Sequence, residues 1–379
     1  MTSVAIGDDQ KTSDHNDGYH PAHPRARSQG TKVTDPAYRG AVHAAHRHEQ
    51  PQRRRSGRRL PSVLRRGAVG LVLAGTLGAC ATSEPSASSQ ATASATSTDE
   101  PPACTPTSSA GDTTDGARTI EVDGTVRSYL LHVPGGAGSG ATAGSTGSAP
   151  APDGARPLIV NLHGHDGSAA DHDANTHLGE AASARGYVVV TPDALGEPSR
   201  WNVDRRPGDA DDLAFLDVLV RTVMDEQCID RARVFVAGSS LGAAFAGVAA
   251  CEPPYRFAAV AMVIATVPLG CPDDVVPPVL TIRGTADPVV PYDTAPEIVR
   301  HIVEHHGCDP DPVLEAPMPG VDRARFGDCR ADAAVVFDTV HDGLHSWPGG
   351  DRAAIVGNSA AGATYPATEQ ILDFFDAVP

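Results

Sequence analysis

From about residue 118 onward the chain alternates short apolar runs with longer stretches of helical period. The first segment, Thr119 to Val133, alternates apolar and polar residues on either side of Asp123-Gly124, which predicts a β-hairpin. A Gly/Ser/Ala/Pro-rich insertion at about 135–155 then reads as a surface loop. Beyond it, strands are predicted at 158–162, 187–191, 234–237, about 257–264, 278–283 and 333–340. Helices are predicted between and after them at about 169–184, 211–226, 241–250, 294–305 and 367–377. Short strands that are apolar throughout belong to a sheet buried on both faces. The expected fold class is α/β, a mostly parallel sheet with helices on both faces. In such sheets chemistry is carried at the carboxyl ends of the strands.

The segment before this domain has a different character. Residues 1–60 are rich in His, Arg and Asp without apolar periodicity, and are expected to be disordered. Residues 61–80 close a basic stretch and continue as about a dozen uncharged small or apolar residues, Gly67 to Ala79, the shape of a signal peptide. That run is too short to span a bilayer as a helix. It ends in Leu77-Gly78-Ala79-Cys80, which is similar to the lipobox of bacterial lipoproteins, so Cys80 is the expected lipidation site and membrane anchor. Residues 81–117, rich in Ser, Thr and Pro, read as a tether. The folded domain is expected over 118–379.

Charge sharpens this division. The net charge is −17, yet residues 1–66 carry 13 Lys/Arg against 6 Asp/Glu, and the remainder 17 against 41. An acidic body of that kind repels phosphate backbones, so nucleic acid is not an expected partner. Of seven cysteines, Cys228, Cys251, Cys271, Cys308 and Cys329 lie in the domain without the close spacing of zinc ligands. They read as disulfide-forming, which requires an oxidising compartment.

Candidate chemistry begins at Gly238-Ser239-Ser240-Leu241-Gly242, a G-x-S-x-G phrase between a predicted strand and a predicted helix. A strand-turn-helix setting is what a nucleophile elbow requires, with Ser240 at the tip and glycines where backbones crowd. A serine hydroxyl needs a base, and the base needs a carboxylate to orient it. Asp287 follows the strand ending near Arg283, and His345 follows the strand ending near Val340, in the order Ser, Asp, His. His345 is preferred to His341 because Gly343 and the turn Trp347-Pro348-Gly349-Gly350 would hold it in a rigid loop clear of the strand. An oxyanion would need backbone donors, expected at Leu241 and at His165 in the turn His163-Gly164-His165-Asp166-Gly167. His163 reads as a structural loop histidine. This chemistry requires no metal and no organic cofactor.

Together these motifs resemble the secreted polyhydroxybutyrate depolymerase and feruloyl esterase family, over about residues 119–377. The likeness includes Tyr187 to Asp193, Trp201-Asn202, Asp211-Asp212 with Phe215-Leu216, and the phrase from His345 to Gly350, where Leu344 replaces the family's usual glycine. It implies an α/β-hydrolase fold and a serine esterase acting on a polyhydroxyalkanoate oligomer, a feruloyl ester or a short acyl ester. It also implies a disulfide between Cys308 and Cys329 near the histidine loop. Cys251 with Cys271 and Cys104 with Cys228 are the other pairs considered, among the many that six cysteines permit. Trp201 and Trp347 are candidates to line an acyl or aryl pocket, with simple packing as the alternative. Two other functions fit the same features less well: a peptidase of this fold, and an inactive envelope-binding lipoprotein.

Overall fold

The computed structural model describes residues 115–135, 155–252 and 257–378. The expected N-terminal extension, the signal peptide with Cys80, nearly all of the tether and most of the 135–155 insertion lie outside the described residues.

The predicted hairpin forms β1 (Gly116–Val122) and β2 (Thr125–His132), paired antiparallel across Asp123 and Gly124, whose φ angles are 49° and 76°. Asp-Gly tolerates two successive left-handed positions, so the turn matches the strand twist. There follow β3 (Arg156–Leu162), α1 (Ala169–Thr176), α2 (Leu178–Ala184), β4 (Val188–Pro192), α3 (Asp212–Gln227) and β5 (Ile229–Ser239). Next come α4 (Leu241–Ala249), β6 (Val260–Val263), β7 (Val279–Gly284) and α5 (Ala295–His306). The chain closes with β8 (Val313–Met318), β9 (Val321–Phe326), β10 (Val335–Val340), α6 (Asp351–Ile355), α7 (Ala360–Thr364) and α8 (Ala367–Asp376).

The strands form one sheet in the order β1-β2-β4-β3-β5-β6-β7-β10-β9-β8. From β4 through β10 neighbouring strands run parallel, while β2 on one side and β9 and β8 on the other join antiparallel. This is the α/β-hydrolase fold. The continuous apolar runs now have their reason. In β3, Leu158, Val160 and Leu162 enter the core on one face and Ile159 the core on the other; in β5, Val234 and Val236 oppose Phe235 and Ala237 in the same way. With helices covering both faces, every position along a central strand is removed from water.

Several elements depart from the sequence expectation, the unpredicted short helices α6 and α7 among them. The helix predicted over 169–184 breaks at His177, which takes a left-handed conformation (φ 54°) and caps α1 through its amide. Beyond the break Gly179 packs so tightly on β2 that a Cβ there would lie 2.3 Å from the His132 ring. The β8–β9 hairpin was not predicted. Its first strand is exposed almost throughout, with Val313 and Leu314 in solvent, and its second carries Arg323 and Arg325, so neither has the apolar alternation that marks a half-buried strand.

Candidate active site

Ser240 stands between β5 and α4 with φ 52° and ψ −117°, a conformation rarely taken by a residue with a side chain. What holds it there is crowding on both sides. A Cβ on Gly238 would lie 2.5 Å from the Gly242 carbonyl, and one on Gly242 would lie 2.3 Å from the carbonyl oxygens of Leu162 and His163. The α4 helix therefore approaches the end of β3 through glycine alone. The Ser240 amide donates to Val263 O at 2.9 Å, tying the turn to β6.

Two further loops leave the carboxyl ends of β7 and β10 and are stitched to each other. A Cβ on Gly284 would meet the Gly343 carbonyl oxygen at 2.3 Å, the Ala286 amide donates to Gly343 O at 3.0 Å, and the Asp342 amide donates to Thr285 Oγ1 at 2.8 Å. Buried Arg283 secures the first loop by donating to Val290 O and Pro291 O. Asp287 Oδ1 accepts the amides of Val289 and Val290 at 2.8 and 2.9 Å, and its Oδ2 lies 2.7 Å from His345 Nδ1. A carboxylate can only accept, so Nδ1 carries the hydrogen and Nε2 is left as an acceptor. The Ser240 hydroxyl lies 2.9 Å from that Nε2. Ser240, His345 and Asp287 are thus brought into one hydrogen-bonded line, while His341 turns outward to Asp322 at 2.7 Å.

The amides of Leu241 and His165 make no hydrogen bond within the described residues. Leu241 is the first residue of α4, where helix geometry leaves amides without intrahelical acceptors. His165 lies in the turn after β3, beside Gly164, whose Cβ, were there one, would touch Ser240 Cβ at 3.4 Å. The neighbouring His163 is buried: its Nδ1 donates to Gly164 O at 2.6 Å and its Nε2 accepts the Ala194 amide at 3.0 Å. Burial lowers its pKa, so it remains a neutral brace for the turn.

The two tryptophans separate. Trp201 is fully buried, stacked on Phe245 with ring centroids 5.2 Å apart, and donates from Nε1 to His163 O at 2.8 Å. It supports the turn from behind and does not line the cleft, correcting its assignment as a substrate contact. Its neighbour Asn202 is held at the amide by Asp212 Oδ2, whose Oδ1 accepts from buried Arg127. Burial raises the Asp212 pKa despite that partner. Trp347 does line the cleft, largely buried, with its Nε1 donating to Thr368.

The cleft over Ser240 and His345 has a volume of 330 Å³ and is walled also by Ile264, Ser346, Arg352 and Val356. Ile264 takes φ 55°, a second strained residue at the site. A larger hollow of 580 Å³ between the 202–217 segment and Glu252 shares no residue with this cleft and is walled mainly by charged and polar side chains, ill-suited to an acyl chain. Three residues were missed from sequence. His172 reaches the cleft from α1 and was detectable only as a histidine on a helix face otherwise made of Ala169 and Thr176. Asn358 brackets His345 from outside the cleft, and Arg352 stands at the cleft wall; neither carries a motif.

Cys251–Cys271 and Cys308–Cys329 are disulfides, and Cys228 is disulfide-bonded, its expected partner Cys104 lying outside the described residues. They suit an oxidising compartment. The Cys308–Cys329 bridge is not near the histidine loop as expected. Cys329 follows β9 at the amino end of β10, where Val335 pairs with Phe326, whereas His345 follows the carboxyl end. Among the described residues no helix is long and apolar enough to cross a membrane, and no group of three metal-ligating side chains occurs.

The family model described as esterase PHB depolymerase matches residues 148–304. NocK of Nocardia uniformis subsp. tsuyamanensis, which bears the name of an esterase, is 32% identical over 286 residues, covering 65% of this chain and 78% of that protein. The chain belongs to the PHB depolymerase and feruloyl esterase family. It is accordingly a carboxylic ester hydrolase. Within this family it is also similar to feruloyl esterase C of Emericella nidulans, 28% identical over 51% of this chain and 74% of that one. Feruloyl esterase B of Piromyces equi is 27% identical over 51% of this chain, which spans only 40% of that longer protein. Among solved structures, an acetyl xylan esterase from Aspergillus awamori aligns over 61% of this chain and 94% of its own, at 16% identity and a TM-score of 0.47.

Proposed function

We propose that this family member is a secreted serine esterase in which Ser240 attacks the ester carbonyl, His345 accepts its proton and Asp287 holds the imidazole tautomer. The observation that carries this reading is the continuous hydrogen-bonded line from Asp287 Oδ2 through His345 to Ser240 Oγ, at 2.7 and 2.9 Å. His345 then protonates the leaving alkoxide, and the acyl-enzyme is released when the same histidine deprotonates water. The Leu241 and His165 amides, unengaged within the described residues, supply the oxyanion donors. The substrates are esters of a polyhydroxyalkanoate oligomer, a feruloyl group or a short acyl group. A cleft of 330 Å³ accommodates one such acyl unit rather than a folded polypeptide. Residues 61–80 direct export, Cys80 receives lipid, and residues 81–117 hold the domain off the membrane.

The test is hydrolysis of p-nitrophenyl acyl esters, methyl ferulate and hydroxybutyrate oligomers by the full chain beside Ser240→Ala. Turnover that disappears in the variant is the expected result. A folded wild-type protein that hydrolyses none of them and resists a fluorophosphonate probe overturns the proposal. Palmitate labelling that persists in Cys80→Ser would remove the lipid anchor from it.

A further inference from the structure

One polar group in the cleft has no part in the triad chemistry. His172 lies on the inward face of α1, is 7% exposed, and lines the same cleft as Ser240 and His345. Its Nε2 is 3.0 Å from Asn161 Oδ1, and the Asn161 amide nitrogen lies 3.5 Å from Thr191 Oγ1. With Oδ1 accepting, Nε2 carries the hydrogen and Nδ1 presents a lone pair. That Nδ1 has no hydrogen-bond partner within the described residues, and it is not among the polar atoms sealed in the interior without one. The cleft that His172 lines is the open space available to it. Trp347 meets the imidazole edge-on, with centroids 5.6 Å apart and planes at 86°, and fixes the ring's orientation.

The ring is also neutral. Burial above all pushes its pKa down to about 3, since the nearby Asp173 carboxylate, which favours the protonated ring, is outweighed. A neutral acceptor beside the Trp347 ring has no attraction of its own for a carboxylate, a role left in this cleft to Arg352. It is suited to a hydroxyl. The energetic logic is that of any buried polar group: bound to a hydroxyl it is satisfied, and facing a methylene it is left unpaired.

We propose that His172 is a specificity-determining residue, its Nδ1 accepting a hydrogen bond from a hydroxyl on the acyl part of the ester, so that the cleft selects hydroxyacyl esters over their unsubstituted counterparts. The hydroxyl belongs to an aliphatic hydroxy acid or to a phenolic acid. This deepens the serine esterase reading and rests on it.

The experiment compares kcat/KM of the full chain within two substrate pairs: p-nitrophenyl 3-hydroxybutyrate against p-nitrophenyl butyrate, and methyl ferulate against methyl 3,4-dimethoxycinnamate. The wild type is expected to favour the hydroxyl member of one pair by at least about tenfold. In His172→Phe that ratio falls to near unity, and the pair affected identifies the source of the hydroxyl. His172→Leu serves as a second variant should the larger ring fail to fit. Equal rates within both pairs in the wild type overturn the proposal whatever the variants do, as does a preference that persists in either folded variant. Failure of the serine esterase reading is seen separately, as a wild-type Ser240 that fluorophosphonate does not label.

Discussion

Asn358→Ala tests how finely the histidine loop must be held. Asn358 Oδ1 accepts the amides of Leu344 and Ser359, each at 2.9 Å, and its Nδ2 donates to Ser346 Oγ at 2.9 Å. Leu344 and Ser346 flank His345, so one side chain grips both shoulders of the proposed base. Gly362 leaves the space, since a Cβ there would lie 2.2 Å from Asn358 Oδ1. Each bond contributes about 0.5–1.5 kcal/mol net, and because Asn358 is half-buried, water replaces part of what is lost. The expected destabilisation is about 1–2 kcal/mol, a Tm lowered by about 2–8 °C for a domain of this size. The catalytic effect should be larger. Freed shoulders let His345 Nε2 drift from its 2.9 Å contact with Ser240, and a displacement of about 1 Å costs up to about a hundredfold in kcat. KM should change little, because Asn358 is not among the residues of the cleft wall. Steady-state kinetics on a p-nitrophenyl ester, with the fluorophosphonate labelling rate and thermal melts, separate these effects. Asn358→Asp keeps both amide acceptances and lets the Ser346 hydroxyl donate instead, so it should recover most of kcat. If Asn358→Ala lowers Tm as stated but leaves kcat intact, the residue is a stabilising one and the positioning argument fails.

Three further outcomes are expected. Asp287→Asn keeps an oxygen for the Val289 and Val290 amides but presents an amide to His345 Nδ1, so kcat should fall about 10⁴-fold at nearly constant Tm, and a loss under about tenfold would refute the tautomer role. Gly242→Ala drives a methyl against backbone oxygens of Leu162 and His163, which cannot rotate away; a loss of about 1–3 kcal/mol in denaturant melts is expected, and an unchanged midpoint would contradict the close approach. His132, hydrogen-bonded to Asp173 and facing Asp115, has its pKa raised in the folded state, so its stabilising effect is complete below the unfolded value of about 6.5 and fades as pH rises through the folded one. The Tm difference between wild type and His132→Gln should therefore shrink from about pH 5 to about pH 9, and a difference that grows would reverse the sign.

Much of this molecule could be derived by reading along the chain. The central strands and most helices follow from local apolar periodicity, which depends only on neighbours a few residues apart. The Ser240 elbow was legible because glycines at 238 and 242 report a backbone crowding that no other residue permits. The order of Ser240, Asp287 and His345 narrowed the candidates further. What could not be read was anything set by elements far apart in sequence. Trp201 and Trp347 are chemically alike, yet one stacks on Phe245 in the core and the other walls the cleft against His172 and Thr368, partners that lie far from each in sequence. The same applies to His172 and Asn358, whose partners lie on other elements, and to the Cys308–Cys329 bridge, placed at the far end of β10 by strand direction. Local pattern determines the central strands and most helices, whereas the β8–β9 hairpin and the break at His177 escape it; the packing of the segments determines which side chains meet, since each such contact depends on the position of the whole sheet.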